Sequence, residues 1–243
     1  MRNAPRFLLI LPALLALAGC MQVESTTVIE RDGSGTFAMT YTMSPSVAEA
    51  MADLEEMGQA GAGDMQSFDL DRDEIAADCE KAGLELKKFR EFDDEGRKGV
   101  EVVVAFDDFN KMKTAFAGQP FGALMISKQD DGNYVLGPAP EPEMAEGEEG
   151  AGTVTTETES EMSEMDPAMM GKYMEVMGKL MQAASEFSMT ARVTVPGTVV
   201  SHNASRQEGN TCIWEADAEN MMMLQDMEPE IVFACPGLKI KTP

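Results

Sequence analysis

The sequence predicts an α+β fold: antiparallel β-hairpins forming a sheet, with helices packed on it. Three observations predict it. Segments of alternating apolar and polar residues come in pairs around glycine-rich turns, as hairpin strands do. Between them lie stretches with apolar residues at helical spacing and capping residues at their starts. Strands joined by short turns run antiparallel, and helices set apart from such hairpins indicate α+β architecture.

In chain order, residues 1–19 read as a signal helix rather than part of the fold. Arg2 and Arg6 are followed by an apolar run over 7–18 and then small residues, the pattern of a secretory leader. The run falls short of the ~20 residues that a spanning helix needs. Residues 22–43 form a hairpin, with Phe37, Met39, Tyr41 and Met43 on one face and Asp32-Gly33-Ser34-Gly35 as the turn. Ser44 caps a helix with Pro45 at its first position and Val47, Met51, Leu54 and Met57 on one side. Gly58, Gly61 and Gly63 end it. A second helix over 71–82 starts with the capping pair Asp71 and Glu74 and stops at Gly83.

Residues 84–92 and 97–106 form a second hairpin around Asp93-Asp94-Glu95-Gly96, with Val102-Val103-Val104 as a buried central strand. A short helix over 107–116 and a third hairpin, 121–128 with 133–136, follow. Residues 138–167 hold ten acids and no basic residue, too polar to offset their ordering entropy, and are expected to be a disordered acidic insert. The helix over 168–186 places Met170, Met174, Met177 and Met181 at core spacing. Phe187, Met189, Ala191, Val193 and Val195 then alternate inward. Strands over 198–202, 210–217 and 230–234 complete the list, with a methionine-rich stretch around Met221, Met222, Met223 and Met227. This makes about eight or nine strands and four or five helices on the strand and helix signals.

Leu17-Ala18-Gly19-Cys20 resembles the lipobox of bacterial lipoproteins. That resemblance implies removal of residues 1–19 and lipid attachment at Cys20, a diacylglyceryl thioether with chains of the palmitate class. Two acyl chains anchor stably where one is marginal, each buried methylene contributing about 0.8 kcal/mol. The expected protein is therefore exported and lipid-anchored to the bacterial cell membrane. Met21 stands where aspartate is the usual inner-membrane retention signal, which points to the outer membrane in a cell that has one. The ectodomain is expected to span 20–243.

The formal charge is −24 over 243 residues. Without its leader the chain loses two arginines and no acid, and carries −26. Such a surface repels nucleic acid, so no nucleic-acid partner is expected. Three cysteines remain beside Cys20: Cys79, Cys212 and Cys235. Export permits a disulfide. The pair Cys212 and Cys235, read as lying on neighbouring strands, stands open against three buried free thiols.

No catalytic, cofactor or metal residue is assigned, and no enzyme is expected. His202 is the single histidine, which rules out a multi-histidine zinc site. It sits in a polar hairpin without a glycine-flanked serine elbow elsewhere. Asp69, Asp71, Asp73 and Glu80 mimic calcium-loop spacing, but Glu74 occupies the place where that loop turns on glycine. Twenty-two methionines suit core packing or an adaptable apolar pocket better than copper.

Strand, Asp32-Gly33-Ser34-Gly35 turn and second strand near the lipidated cysteine, then Val195-Pro196-Gly197, Asn203 and Gly209-Asn210-Thr211 leading to Trp214, resemble the mycobacterial LppM lipoprotein domain family. The likeness covers residues 20–43 and 187–217. The acidic insert departs from it, as does the lack of the C-terminal membrane helix found in some relatives. The resemblance implies an envelope lipoprotein whose α+β ectodomain binds lipid or glycolipid, and it transfers no ligand residue. The other expectation is a structural or interaction lipoprotein that docks an envelope protein partner through its acidic surface.

Overall fold

Alternation of Phe37, Met39, Tyr41 and Met43 with small or polar residues marks one strand of the first hairpin, β1 (Met21–Ile29) and β2 (Gly35–Met43), paired antiparallel from Met21↔Met43 to Ile29↔Gly35. The computed structural model describes residues 21–56, 72–94, 97–112, 124–139, 167–220 and 228–240. The expectations for residues 1–20, the glycines at 58, 61 and 63, Asp69, Asp71, the Glu95-Gly96 end of a turn, residues 113–123, 140–166 and 221–227 lie outside them. Among the described residues the fold is α+β, with eleven strands, three α-helices and a 3-10 turn.

Ser44 Oγ accepts from Val47 N at 3.4 Å and opens α1 (Pro45–Glu56), an N-terminal cap that satisfies one otherwise orphaned donor. Helix α2 (Arg72–Ala82) ends as expected at Gly83, whose φ of +69° is the left-handed cap conformation. β3 (Glu85–Asp94) and β4 (Arg97–Phe106) form the second hairpin. The predicted helix after it is, within the described residues, only a 3-10 turn, Phe109–Lys111, capped by the Asp108 side chain. Next come β5 (Leu124–Lys128), β6 (Tyr134–Pro138), α3 (Pro167–Ala184) and β7 (Phe187–Thr194). β8 (Thr198–His202), β9 (Arg206–Glu208), β10 (Thr211–Asp217) and β11 (Ile231–Ala234) complete the order.

The strands form two sheets. The large one runs β3-β4-β2-β1-β7-β10-β9, and the small one runs β5-β6-β11-β8. One expectation is corrected here: β1 and β7 pair in parallel, Met21 against Phe187 through Val28 against Thr194. Neighbours in sequence are antiparallel because their turns are short. β7 instead arrives after a long excursion through the small sheet and α3, which frees it to run either way. A second correction concerns Val102-Val103-Val104. β4 lies next to the edge, and Val102 and Val104 are buried while Val103 on the opposite face is only half-buried.

The core lies between one face of the large sheet and the small sheet. Ile29, Val104, Phe106, Val193, Cys212 and Trp214 pack in one cluster with Ile126, Leu136, Ile231 and Phe233. Charged residues guard the large sheet's edges. At one edge, Lys88 and Arg90 of β3 grip Glu101 of β4 at 2.7 and 2.9 Å. At the other, the three-residue β9 has Arg206 bonded to Glu208 and Glu215. Short or charged edge strands discourage pairing with other chains.

Candidate functional site

Register defines what the large sheet shows on each side. One face carries Gln22, Glu24, Thr26, Thr40, Thr42, Glu101, Thr190, Arg192 and Thr194. Thr194 and Thr211 share a hydroxyl hydrogen bond of 2.8 Å across paired strands there. The other face is mainly apolar, because side chains on a strand alternate sides and the paired residues stand together; Ser25 and Thr27 interrupt it, and at the end of Met21 its β3–β4 side carries Glu91, Asp93 and Lys98. Successive cross-strand rows on it are Val104-Phe37-Thr27-Val193-Cys212, then Val102-Met39-Ser25-Ala191-Trp214, then Val100-Tyr41-Val23-Met189-Ala216, and last Lys98-Met43-Met21-Phe187.

The two ends of this face differ in cover. At the end of Ile29 and Gly35 it is closed. The small sheet and α2 bury the row of Val104, Val193 and Cys212. Two backbone bonds tie the β1–β2 turn to its surroundings there: Phe109 N donates to Gly33 O at 3.0 Å and Lys239 N to Arg31 O at 3.1 Å. At the end of Met21, by contrast, Met21, Val23, Met43, Val100, Phe187 and Met189 are only half-buried. Tyr41 and Ala216 among them are buried.

Helices α1 and α3 belong to this second end by connectivity. α1 starts two residues after Met43, and α3 ends three residues before Phe187. The two pack on each other, with Lys172 of α3 bonded to Asp53 of α1 at 3.0 Å. Val47, Ala50, Val176 and Ala183 are their buried residues. What results is a half-buried, mainly apolar floor at the end of the sheet where the chain enters it, with α1 in contact with β4 and α3 packed on α1. Burial pushes the Tyr41 hydroxyl well above its ordinary pKa, keeping it neutral, while Lys98, Glu91 and Asp93 place charge at the β3–β4 side of the floor. Such a floor presents side chains that can pack against acyl chains or other apolar matter, with charged groups at its β3–β4 rim.

The residues singled out in the sequence fall as follows. Cys20 lies outside the described residues, and its neighbour Met21 opens β1 at the floor. Cys79, Cys212 and Cys235 are buried free thiols. Cys212 and Cys235 do not lie on neighbouring strands, since β10 belongs to the large sheet and β11, which Cys235 follows, to the small one. Cys235 Sγ donates instead to Pro196 O at 3.7 Å. His202 Nδ1 accepts from Ala204 N at 3.1 Å, a turn contact. Among the described residues no three His, Cys, Asp or Glu side chains cluster to hold a metal ion.

The methionine series on α3, whose face Tyr173, Val176 and Leu180 widen, is corrected in part. Met174 and Met181 are 62% and 74% exposed, Met170 and Met177 are half-buried, and Val176 and Ala183 are buried. Spacings of three and four identify a stripe but not which of two apolar stripes turns inward, and the slimmer residues won the contact with α1. The floor itself went unseen in the sequence. Both of its halves were legible as alternating segments, 37–43 and 187–195, but only the parallel pairing of β1 with β7 makes them one surface.

No family model and no curated protein sequence matches the chain. Among solved structures the chain is similar to the NMR structure of the folded domain of LppM from Mycobacterium tuberculosis, at 11% identity and a TM-score of 0.44, over 88% of this chain and 90% of that one. It is the family that residues 20–43 and 187–217 resemble, and the structural likeness to it is loose.

Proposed function

We propose that this chain is a membrane-anchored envelope lipoprotein, lipidated at Cys20, whose non-catalytic ectodomain binds lipid or glycolipid on the apolar floor of its large sheet. One observation carries the reading: a mainly apolar sheet face closed at one end and only half-buried at the other, in Met21, Val23, Met43, Val100, Phe187 and Met189, with Lys98 at its rim. A soluble domain rarely leaves contiguous apolar surface without a use. Methionine suits the task, because its unbranched thioether chain adapts to ligands of varied shape. The lipobox resemblance at Leu17-Ala18-Gly19-Cys20 supports the anchor.

The test is mass spectrometry of the full chain extracted from membranes. A mass of residues 20–243 plus acyl chains is expected, and a gentle native spectrum should retain an added, non-covalent lipid. Met189→Asp places a charge on the floor and should abolish that retention while the covalent acyl mass stays. An acylated protein that retains no lipid, and whose melting temperature does not rise with added lipid, would defeat the binding reading and leave the anchor standing. Docking of a basic envelope protein by the acidic surface is the competing reading, and residues 140–166, which motivate it, lie outside the described residues.

A further inference from the structure

Helix α3 carries a second apolar surface that the floor does not use. Gly171, Met174, Gly178 and Met181 fall at spacings of three, four and three, which puts them on one side of a helix. All four are exposed. Met174 and Met181 are two of the three large hydrophobic side chains exposed among the described residues, the third being Val200 at 59%. A Cβ added at Gly171 or Gly178 would meet nothing within 4 Å, so the surface between the methionines is open.

We propose that this stripe lies against the lipid bilayer and seats the ectodomain on the membrane that holds Cys20; the inference rests on the anchor reading above. Position is the first argument. Met181 is in the last turn of α3, and the chain passes through Ser185 and Glu186 into Phe187, which pairs with Met21. The stripe thus runs to the end of the molecule at which a lipid on Cys20 emerges, with the half-exposed floor beside it. Val200 lies on β8 of the small sheet, which covers the opposite end of the core.

Charge is the second argument. The chain has 43 acids against 19 lysines and arginines, so most of its surface repels anionic headgroups. α3 reverses that balance, with Glu175 as its one acid and Lys172 and Lys179 as its bases. Lys179 pairs with Glu175 at 3.3 Å and Lys172 with Asp53 at 3.0 Å. The exposed side of α3 is therefore close to neutral and meets less repulsion at a membrane than α1 beside it, which carries Glu49, Asp53, Glu55 and Glu56 and no base.

The third argument is size. A stable contact between two copies of a protein buries roughly 1,200 Å² or more in total, and one line of two methionines and two glycines is too narrow for that. A membrane contact needs far less, because the lipid anchor already supplies retention and holds the stripe at high effective concentration beside the bilayer. The weak contact then has only to choose an orientation, and this one turns the open end of the floor towards lipid.

The experiment uses the full chain, purified from membranes, with acylation verified by mass. Met174→Cys, Met181→Cys and, as the reference, Val200→Cys are labelled with an environment-sensitive fluorophore and reconstituted in phosphatidylethanolamine–phosphatidylglycerol vesicles. Lipids carrying a nitroxide quencher should quench the labels at 174 and 181 at least twofold more than the label at 200. Equal quenching at the three positions on an acylated chain overturns this proposal alone and leaves the anchor reading intact. Protection that grows with protein density and ignores the lipid-borne quencher also overturns it, in favour of a second copy as the occupant. An unacylated chain removes both the anchor reading and this proposal, since a stripe so narrow cannot hold a membrane unaided.

Discussion

Single residues decide how the closed end of the molecule is assembled. Gly33 has a φ of +89°, and a Cβ there would stand 2.5 Å from the Lys239 carbonyl oxygen. The turn needs the left-handed conformation, which costs a side chain roughly 1 kcal/mol. The contact adds a second penalty, because Lys239 N donates to Arg31 O at 3.1 Å and holds that carbonyl's residue in place. Gly132 separates the two effects: its φ is also +89° and nothing lies within 4 Å of its Cβ. Gly132→Ala is expected to cost about 1 kcal/mol, and Gly33→Ala about 2–3 kcal/mol, as for other strained and crowded sites. Urea unfolding followed through Trp214, the one tryptophan, measures both. Equal losses would show that the C-terminal segment yields. Asn203 acts by contact rather than conformation. Its Oδ1 accepts from Trp214 Nε1 at 3.2 Å and from Glu230 N at 2.9 Å, linking a strand of each sheet through one side chain.

At the scale of elements, local signals were legible and long-range pairing was not. The first two hairpins, the Ser44 cap, the Gly83 stop and the alternation over 187–195 were all readable, because each is set by residues within about ten positions of one another. The missed strand β9 has three residues, all exposed, and no apolar alternation to betray it. The parallel β1–β7 pairing joins residues more than 160 apart in sequence, and the assignment of β8 and β11 to a separate sheet also rests on pairings well beyond a hairpin's reach. The Cys212–Cys235 pairing depended on that assignment. In the structure burial pushes the Cys79 and Cys212 thiols above their ordinary pKa. All three of Cys79, Cys212 and Cys235 are buried, so native protein at neutral pH should leave them unreacted with an aromatic disulfide reagent, and denatured, unreduced protein acylated at Cys20 should release three equivalents. A single equivalent would establish a disulfide between two of them. The sign of the pH effect follows from the shift. A thiol whose pKa is raised on folding contributes stability below its unfolded pKa and loses it as pH rises beyond, so stability should decline above about pH 8.5, the ordinary thiol value.

For the whole molecule, the organisation is a sheet with two unlike ends. One is sealed by a second sheet and by backbone bonds to the β1–β2 turn, and the other is mainly apolar and half-buried, with α1 touching β4 and α3 packed on α1. Around both lies a surface of −24 formal charge. Two electrostatic effects compete in it. Ion pairs such as Lys88–Glu101–Arg90 and Lys172–Asp53 favour folding, but exposed pairs are worth only about 0–1 kcal/mol each. The surplus of carboxylates opposes folding by repulsion summed over the whole surface. At an ionic strength of 0.01 M the Debye length is about 30 Å and nearly every acid feels the others, while at 0.15 M it is about 8 Å and only neighbours do. Repulsion therefore acts over the longer range and is the larger sum, and salt should remove more of it than of the ion pairing. The melting temperature is expected to rise between these two conditions. A fall would mean that the few cations are placed well enough to outweigh the excess of acids, and that the large sheet's charged edges hold the fold together as well as keeping other strands away.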